Sequence, residues 1–159
     1  MKKLIFLFAL IICSSLAGRA DEPKRLFANV GIMAPYTLDA TIGYEHPIGY
    51  GHAFSVYAEA GNHWETPVCH RFWHNYFWDG GGSYKYQIAR WKNASLRVVG
   101  GMYFGAIRTD FFFGNELNLE FNYRFRNNWM FTLTQKNTIN YLHGDLFRNG
   151  VMVGLKIPI

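Results

Sequence analysis

Apolar and polar side chains alternate along most of this chain. Between Glu116 and Phe125 every second residue is apolar or aromatic, and the residues between them are polar or charged. Because successive side chains of a β-strand point to opposite faces, this period of two predicts a strand with one apolar and one polar face. The pattern recurs and predicts eight strands, near residues 26–33, 36–45, 52–62, 83–91, 95–107, 113–125, 129–141 and 148–157.

Turn residues separate the predicted strands. Glycine, proline and asparagine mark short connections, and residues 79–82, Asp-Gly-Gly-Gly, are interpreted as the close of a long loop. An even strand number places both termini on one side of a barrel, which in bacterial barrels is the periplasmic side. The connections at 46–51, 92–94 and 126–128 are then periplasmic turns. Those at 34–35, 63–82, 108–112 and 142–147 are extracellular loops.

Composition indicates whether the polar face of the predicted strands lines the lumen or the outside of the barrel. The apolar face has almost no charge, whereas the polar face carries acidic and basic residues in balance, together with several glycines. Isolated buried charge is costly and an eight-stranded barrel is barely wide enough for side chains, so this mixture fits a packed, ion-paired lumen. The predicted lumen ion pairs involve Asp39, Glu45, Glu59, Lys85, Arg97, Glu116, Glu120, Arg124, Lys136 and Lys156. Aromatic residues near both ends of the strands match two membrane interfaces.

The predicted fold class is all-β, an eight-stranded antiparallel up-and-down transmembrane β-barrel. A soluble lipocalin-like binder is an alternative with the same alternation, but it needs an apolar interior cavity and would place the glycines on its outer surface. The seventh strand does not fit fully, since the phase that turns Phe131 outward also turns Gln135 and Asn137 outward. A β-bulge or a shorter strand is expected there.

Residues 1–20 are predicted to be a secretory signal peptide. Lys2 and Lys3 precede an apolar run too short for a membrane helix, and small residues occupy the cleavage positions near Ala20. Residues 21–159 then form one barrel domain. Loss of Lys2, Lys3 and Arg19 leaves 13 basic against 11 acidic residues, so the basic composition does not indicate a nucleic-acid partner. Cys69 is the one remaining cysteine, which excludes an intrachain disulfide.

The predicted loop at 63–82 is the densest cluster of functional side chains. Aromatic and arginine side chains dominate protein contact surfaces, so this loop is predicted to contact a protein partner. The predicted contact residues are Trp64, His70, Arg71, Phe72, Trp73, His74, Tyr76, Phe77 and Trp78. Four loop residues are of types that bind soft or borderline metals, namely His63, Cys69, His70 and His74. They form no complete metal-site spacing, so no metal and no other cofactor is predicted.

A lipid A-modifying enzyme is a further hypothesis, because small outer-membrane barrels include lipid A deacylases and palmitoyltransferases. The deacylase family places a histidine two residues before a serine near the outer rim. Here His143 is followed at that spacing by Asp145, so the nucleophile is missing. Neither Ser55 nor Ser83 has a histidine and an acid at a suitable spacing. No catalytic residue is therefore predicted.

The layout of residues 21–159 resembles the small eight-stranded outer-membrane barrels of the OmpA/OmpX type. In the last third, residues 115–125, 144–148 and 154–156 are similar to the C-terminal part of the TraO conjugative-transposon proteins of Bacteroidetes. The first resemblance implies a barrel in the outer membrane. The second implies an outer-membrane component of a conjugative transfer apparatus.

The sequence thus predicts a non-enzymatic barrel of the bacterial outer membrane, with a plugged, ion-paired lumen and extracellular loops that make contacts. Its expected surroundings are outer-membrane lipid and lipopolysaccharide, with a protein partner at the loop 63–82 and no nucleic acid.

Overall fold

Eight antiparallel β-strands close into a barrel. The computed structural model describes residues 22–34, 37–63, 76–107, 109–142 and 147–159, with His63 described by its backbone alone. The strands are β1 Arg25–Ala34, β2 Thr37–Gly49, β3 His52–His63, β4 Tyr76–Arg90, β5 Ala94–Ile107, β6 Asp110–Arg124, β7 Met130–Asn140 and β8 Phe147–Pro158. Each strand pairs with its neighbour in sequence and β8 pairs with β1, which confirms the predicted strand number and closure. No helix among the described residues is long and apolar enough to cross a membrane.

The two faces of each strand meet different surroundings. In β6, Glu116 and Glu120 are buried inside the barrel, whereas Leu117 points outward and is 64% exposed. In β2, Asp39 is buried inside and Ile42 points outward, 66% exposed. The inner wall is therefore polar and charged, and the outer wall is largely apolar. A soluble barrel with an apolar interior would have the reverse arrangement.

Glycines on the inner wall lie opposite large side chains of the neighbouring strand. The pairs include Phe27 with Gly43, Met152 with Gly31, Met33 with Gly150, Phe77 with Gly61, and Tyr103 with Gly114. A methyl group on Gly43 would come within 2.5 Å of both Phe27 Cζ and the carbonyl oxygen of Val56. Pairing large with small residues fills a narrow lumen without overlap.

Replacing Gly43 with alanine is expected to lower the free energy of unfolding by about 1–3 kcal/mol, because the added methyl overpacks the lumen. Gly100 is the matched control, since it points outward and a methyl group there meets nothing within 4 Å. Gly100→Ala should change stability by no more than about 0.5 kcal/mol. Urea unfolding of both variants in lipid vesicles, followed by tryptophan fluorescence, measures the difference. Equal stability of the two variants would contradict the packing role of Gly43.

The prediction for the fourth strand was wrong at its beginning. Strand β4 begins at Tyr76, and the glycines at 80–82 pair with both β3 and β5 instead of closing a loop. Glycine has a low intrinsic preference for strands, but pairing on both sides overrides that preference here. A side chain on Gly81 would meet the carbonyl oxygen of Met102 at 2.5 Å, so the inward glycine allows close packing inside the barrel.

Strand β7 runs without the expected bulge. Its pairing with β8 is continuous from Met130 opposite Lys156 to Ile139 opposite Phe147. Gln135 is consequently exposed on the outer wall, and Asn137 is half-buried on the same face. The unbroken alternation thus turns both carboxamides outward, and β7 continues beyond them to Asn140 instead of ending earlier.

Candidate functional site in the barrel lumen

Four charged side chains form a closed ring across the lumen. Glu45 of β2, Lys85 of β4, Glu120 of β6 and Lys156 of β8 come from alternate strands. Lys85 Nζ lies 3.0 Å from Glu45 Oε2 and 2.8 Å from Glu120 Oε2. Lys156 Nζ lies 2.5 Å from Glu45 Oε2 and 2.7 Å from Glu120 Oε1. Each lysine thus bridges both carboxylates, and this charge ring spans the barrel from wall to wall.

Arginines surround the charge ring on the side of the chain termini. Arg97 Nη1 donates to Glu45 Oε1 at 2.9 Å and lies 3.8 Å from Glu120 Oε1. Arg25 Nη1 lies 3.8 Å from the same oxygen of Glu45. A buried carboxylate needs several donors to offset its lost hydration, and Glu45 faces four cations.

Glu22, just before β1, closes the terminal end of the lumen. It accepts a hydrogen bond from Arg124 at 3.0 Å and lies 3.3 Å from Arg25. Burial raises the pKa of Glu22, but Arg25, Arg124 and Arg97 outweigh that effect, so its pKa lies below the ordinary value. Its ionised form therefore stabilises the fold above the pKa of the unfolded chain, and this stabilisation is lost as the pH falls through the folded pKa.

A second group of charges lies toward the end of the barrel where residues 64–75 connect β3 and β4. Lys136 binds Glu59 and lies 3.4 Å from Asp39 Oδ2. Thr41 also donates to Glu59, at 3.0 Å, and Asn118 donates to Glu116 at 2.7 Å. We call the set Asp39, Glu59, Asp79, Glu116, Lys136 and Arg148 the loop-side cluster.

Aromatic side chains close the lumen beside the loop-side cluster. Phe77, Tyr103 and Phe112 pack together and are each at most 3% exposed. The Arg148 guanidinium lies 4.5 Å from the centre of the Phe77 ring, a cation–π contact. A cavity of about 40 Å³, lined by residues of both charged groups, separates the charge ring from the loop-side cluster. It has room only for a few water molecules.

The two ends of the lumen carry opposite excess charge. The terminal-side cluster comprises Glu22, Arg25, Glu45, Lys85, Arg97, Glu120, Arg124 and Lys156, which is five cations against three carboxylates. The loop-side cluster has four carboxylates against two cations, Lys136 and Arg148. Among the described residues Asp79 Oδ2 has no hydrogen-bond partner, as expected where carboxylates outnumber donors. The two groups together are neutral.

The ten predicted lumen residues all lie on the inner wall, with Arg124 half-buried at the terminal mouth. Among the described residues, four further charges of these two clusters were not predicted, namely Glu22, Arg25, Asp79 and Arg148. Arg148 shares the phase of Lys156 in β8, so the alternation could have revealed it. Asp79 was hidden by the glycines that follow it, and Arg25 lies one residue before the predicted strand.

The predicted contact residues separate into three groups. Tyr76 and Trp78 point outward in β4 and are 52% and 54% exposed. The prediction that Phe77 contacts a partner is wrong, because its side chain lies inside the lumen. The other predicted contacts, Trp64, His70, Arg71, Phe72, Trp73 and His74, lie outside the described residues, as does Cys69. Among the described residues no three His, Cys, Asp or Glu side chains are placed to hold a metal ion.

Comparison with known proteins supports the fold alone. A solved structure from the de novo design of transmembrane β-barrels is similar over 87% of this chain and 100% of its own chain, with 12% sequence identity and a TM-score of 0.53. No protein-family model matches the sequence, and no curated protein matches it. The chain therefore has the fold of a transmembrane β-barrel. That fold and the apolar outer wall favour a location in a membrane.

Proposed function

We propose that this protein is a non-enzymatic barrel of the bacterial outer membrane, whose lumen is closed by ion pairs and whose loops away from the termini make contacts. The charge ring carries this proposal, because it fills the cross-section with side chains from four alternate strands. Each of its two lysines lies within 3.0 Å of both carboxylates, so the four side chains occupy the space that a permeating ion would need. The barrel then serves as a rigid support for its loops.

Conduction measurements test the closed lumen. Purified protein in planar lipid bilayers is expected to give no single-channel current steps, because the charge ring, the loop-side cluster and the packed aromatic side chains Phe77, Tyr103 and Phe112 lie in series. A porin reconstituted in the same bilayers is the control for insertion. Reproducible current steps from the purified protein would overturn the closed lumen.

The proposal places the connection between β3 and β4 outside the cell and the turn between β2 and β3 in the periplasm. The natural cysteine can test this orientation. Cys69 lies in the connection 64–75, and Tyr50 lies in the β2–β3 turn at the opposite end. On intact cells a membrane-impermeant maleimide is expected to label Cys69. A Tyr50→Cys variant in a Cys69→Ser background should be labelled only after the outer membrane is opened. If only the cysteine at position 50 is labelled on intact cells, the orientation is the opposite of the one proposed. Recovery of a soluble periplasmic protein would reject the membrane location.

The two buried serines support a non-enzymatic role. Ser55 Oγ and Ser83 Oγ lie 2.8 Å apart and hydrogen-bond each other across β3 and β4. Both are enclosed in the lumen, where a lipid acyl chain has no access. Mass spectrometry of lipid A from cells with and without the gene is expected to show the same profile. A change in acylation that depends on the gene would contradict this part of the proposal.

A further inference from the structure

The outer wall carries a patch of carboxamides on the last three strands. Asn115 of β6, Gln135 and Asn137 of β7, and Asn149 of β8 all point outward. By contrast, the outward positions of β1 and β5 carry only apolar residues and glycine. We call these four residues the carboxamide patch.

The carboxamide patch is continuous and reaches the middle of the wall. Asn137 pairs with Asn149 across β7 and β8, and Gln135 lies two residues further along the same face. Gln135 is midway in sequence between Trp129 and Tyr141, which stand at opposite ends of β7. Since aromatic residues at strand ends mark the two interfaces, Gln135 lies at the depth of the lipid tails.

One member of the patch has a structural task. The β6–β7 pairing is interrupted between Glu116 opposite Thr138 and Leu119 opposite Gln135. There the backbone N–H of Asn137 donates to Asn118 Oδ1, and Asn137 Nδ2 donates to the carbonyl oxygen of Leu117, both at 2.9 Å. These side-chain hydrogen bonds replace part of the backbone hydrogen bonding between β6 and β7. Asn137 is therefore needed to hold the two strands together at this point, which we call the β6–β7 seam.

The remaining members need another explanation. Asn115 donates to the Tyr141 hydroxyl at 2.9 Å, but the side chains of Gln135 and Asn149 have no hydrogen bond to any described residue. Lipid tails offer no partner to an amide, and leaving one unsatisfied in hydrocarbon is costly. A protein surface that supplies both donors and acceptors would satisfy them.

We infer that a second copy of this chain covers the carboxamide patch in the membrane. A carboxamide both donates and accepts, so the patch is complementary to itself, as a two-fold interface requires. The patch carries no formal charge, and Leu117, Leu119 and Val151 give it an apolar rim suited to the membrane. Closed barrels have no free backbone edge, so two copies can associate only through side chains such as these. The inference rests on the membrane location proposed above.

Cysteine cross-linking tests this dimer without altering the patch. In a Cys69→Ser background, Val151→Cys places a thiol beside the patch, and Val56→Cys places one on β3 at the opposite wall. The two valines are 53% and 47% exposed, so they are matched in access. Oxidation of isolated outer membranes is expected to give a cross-linked dimer with Val151→Cys, in about tenfold excess over Val56→Cys, the ratio that a preference of about 1.4 kcal/mol produces.

A second variant separates association from folding. Gln135→Leu with Asn149→Leu, added to Val151→Cys, is expected to reduce the cross-linked dimer to the level of Val56→Cys. Asn137 is kept because it holds the β6–β7 seam, and heat-modifiable gel mobility reports that the barrel is folded. Equal cross-linking at both positions, an undiminished dimer in the leucine variant, or an adduct whose mass is not twice that of the chain would overturn the inference. Absence of the protein from the membrane fraction would instead reject the proposed location.

Discussion

Replacing Glu45 with glutamine is expected to lower the free energy of unfolding by about 3–5 kcal/mol, the usual cost of removing one partner from a buried ion pair. Glutamine keeps the size and one acceptor oxygen of Glu45 but removes its charge. Lys85 and Lys156 would then have Glu120 as their nearest carboxylate, and Arg97 would lie 3.8 Å from both Glu120 and Glu22. Urea unfolding in lipid vesicles, with gel mobility before and after heating as a second probe, measures the loss.

Two further variants give this prediction its controls. Glu22→Gln removes a carboxylate at the terminal mouth, where its side chain is 18% exposed, and should cost clearly less than Glu45→Gln. Lys156→Met combined with Glu45→Gln should be more stable than the sum of the single effects predicts, because removing one cation relieves the excess left by the other change. A loss of less than about 1 kcal/mol for Glu45→Gln would mean that hydration, and not the Glu45 carboxylate, stabilises the cations of the charge ring.

The period of two in the sequence predicts most of the fold for a direct physical reason. A strand between two neighbours in a barrel has one inner and one outer face, so burial alone dictates the alternation in β6. Strand β4 departs from the prediction because three consecutive glycines are a strong local turn signal. The pairing partners that hold residues 80–82 in the sheet come from β3 and β5, and no local pattern shows them.

The lumen could be predicted only as a set of residues and not as an arrangement. Alternation places Glu45, Lys85, Glu120 and Lys156 on the inner wall, but they come from strands that do not pair with one another. Their heights depend on the stagger accumulated around the barrel, which the closed sheet fixes. The charge ring therefore emerges only from the three-dimensional register.

The same register explains why the balanced composition divides into two unbalanced groups. Sequence counting shows equal charges on one face but gives no positions along the barrel axis. In the structure the terminal-side cluster has two extra cations and the loop-side cluster two extra carboxylates. Lys85 and Lys136 are almost equally buried, but they should therefore contribute differently to the free energy of unfolding.

Replacing Lys136 with methionine is expected to lower the free energy of unfolding by about 3–5 kcal/mol, since it leaves buried carboxylates without their counter-ion. Lys136 is the cation that pairs with both Asp39 and Glu59. After its removal Arg148 alone would face the four carboxylates of the loop-side cluster. Methionine preserves the length of the apolar stem, so the loss reports the charge more than the packing. The measurement is again urea unfolding in lipid vesicles.

Lys85→Met is the matched control for Lys136→Met. Lys85 also pairs with two carboxylates and has nearly the same burial, with side chains 5% and 6% exposed. It belongs to the group with excess cations, however, so Arg97 and Lys156 remain to neutralise Glu45 and Glu120. Its loss should be smaller by about 1–2 kcal/mol, within the usual spread for coupled neighbours. Adding Asp79→Asn should restore part of the stability of Lys136→Met and none of that of Lys85→Met. Equal losses for the two lysines, with no selective effect of Asp79→Asn, would mean that the lumen responds as one neutral network and not as two groups of opposite excess charge.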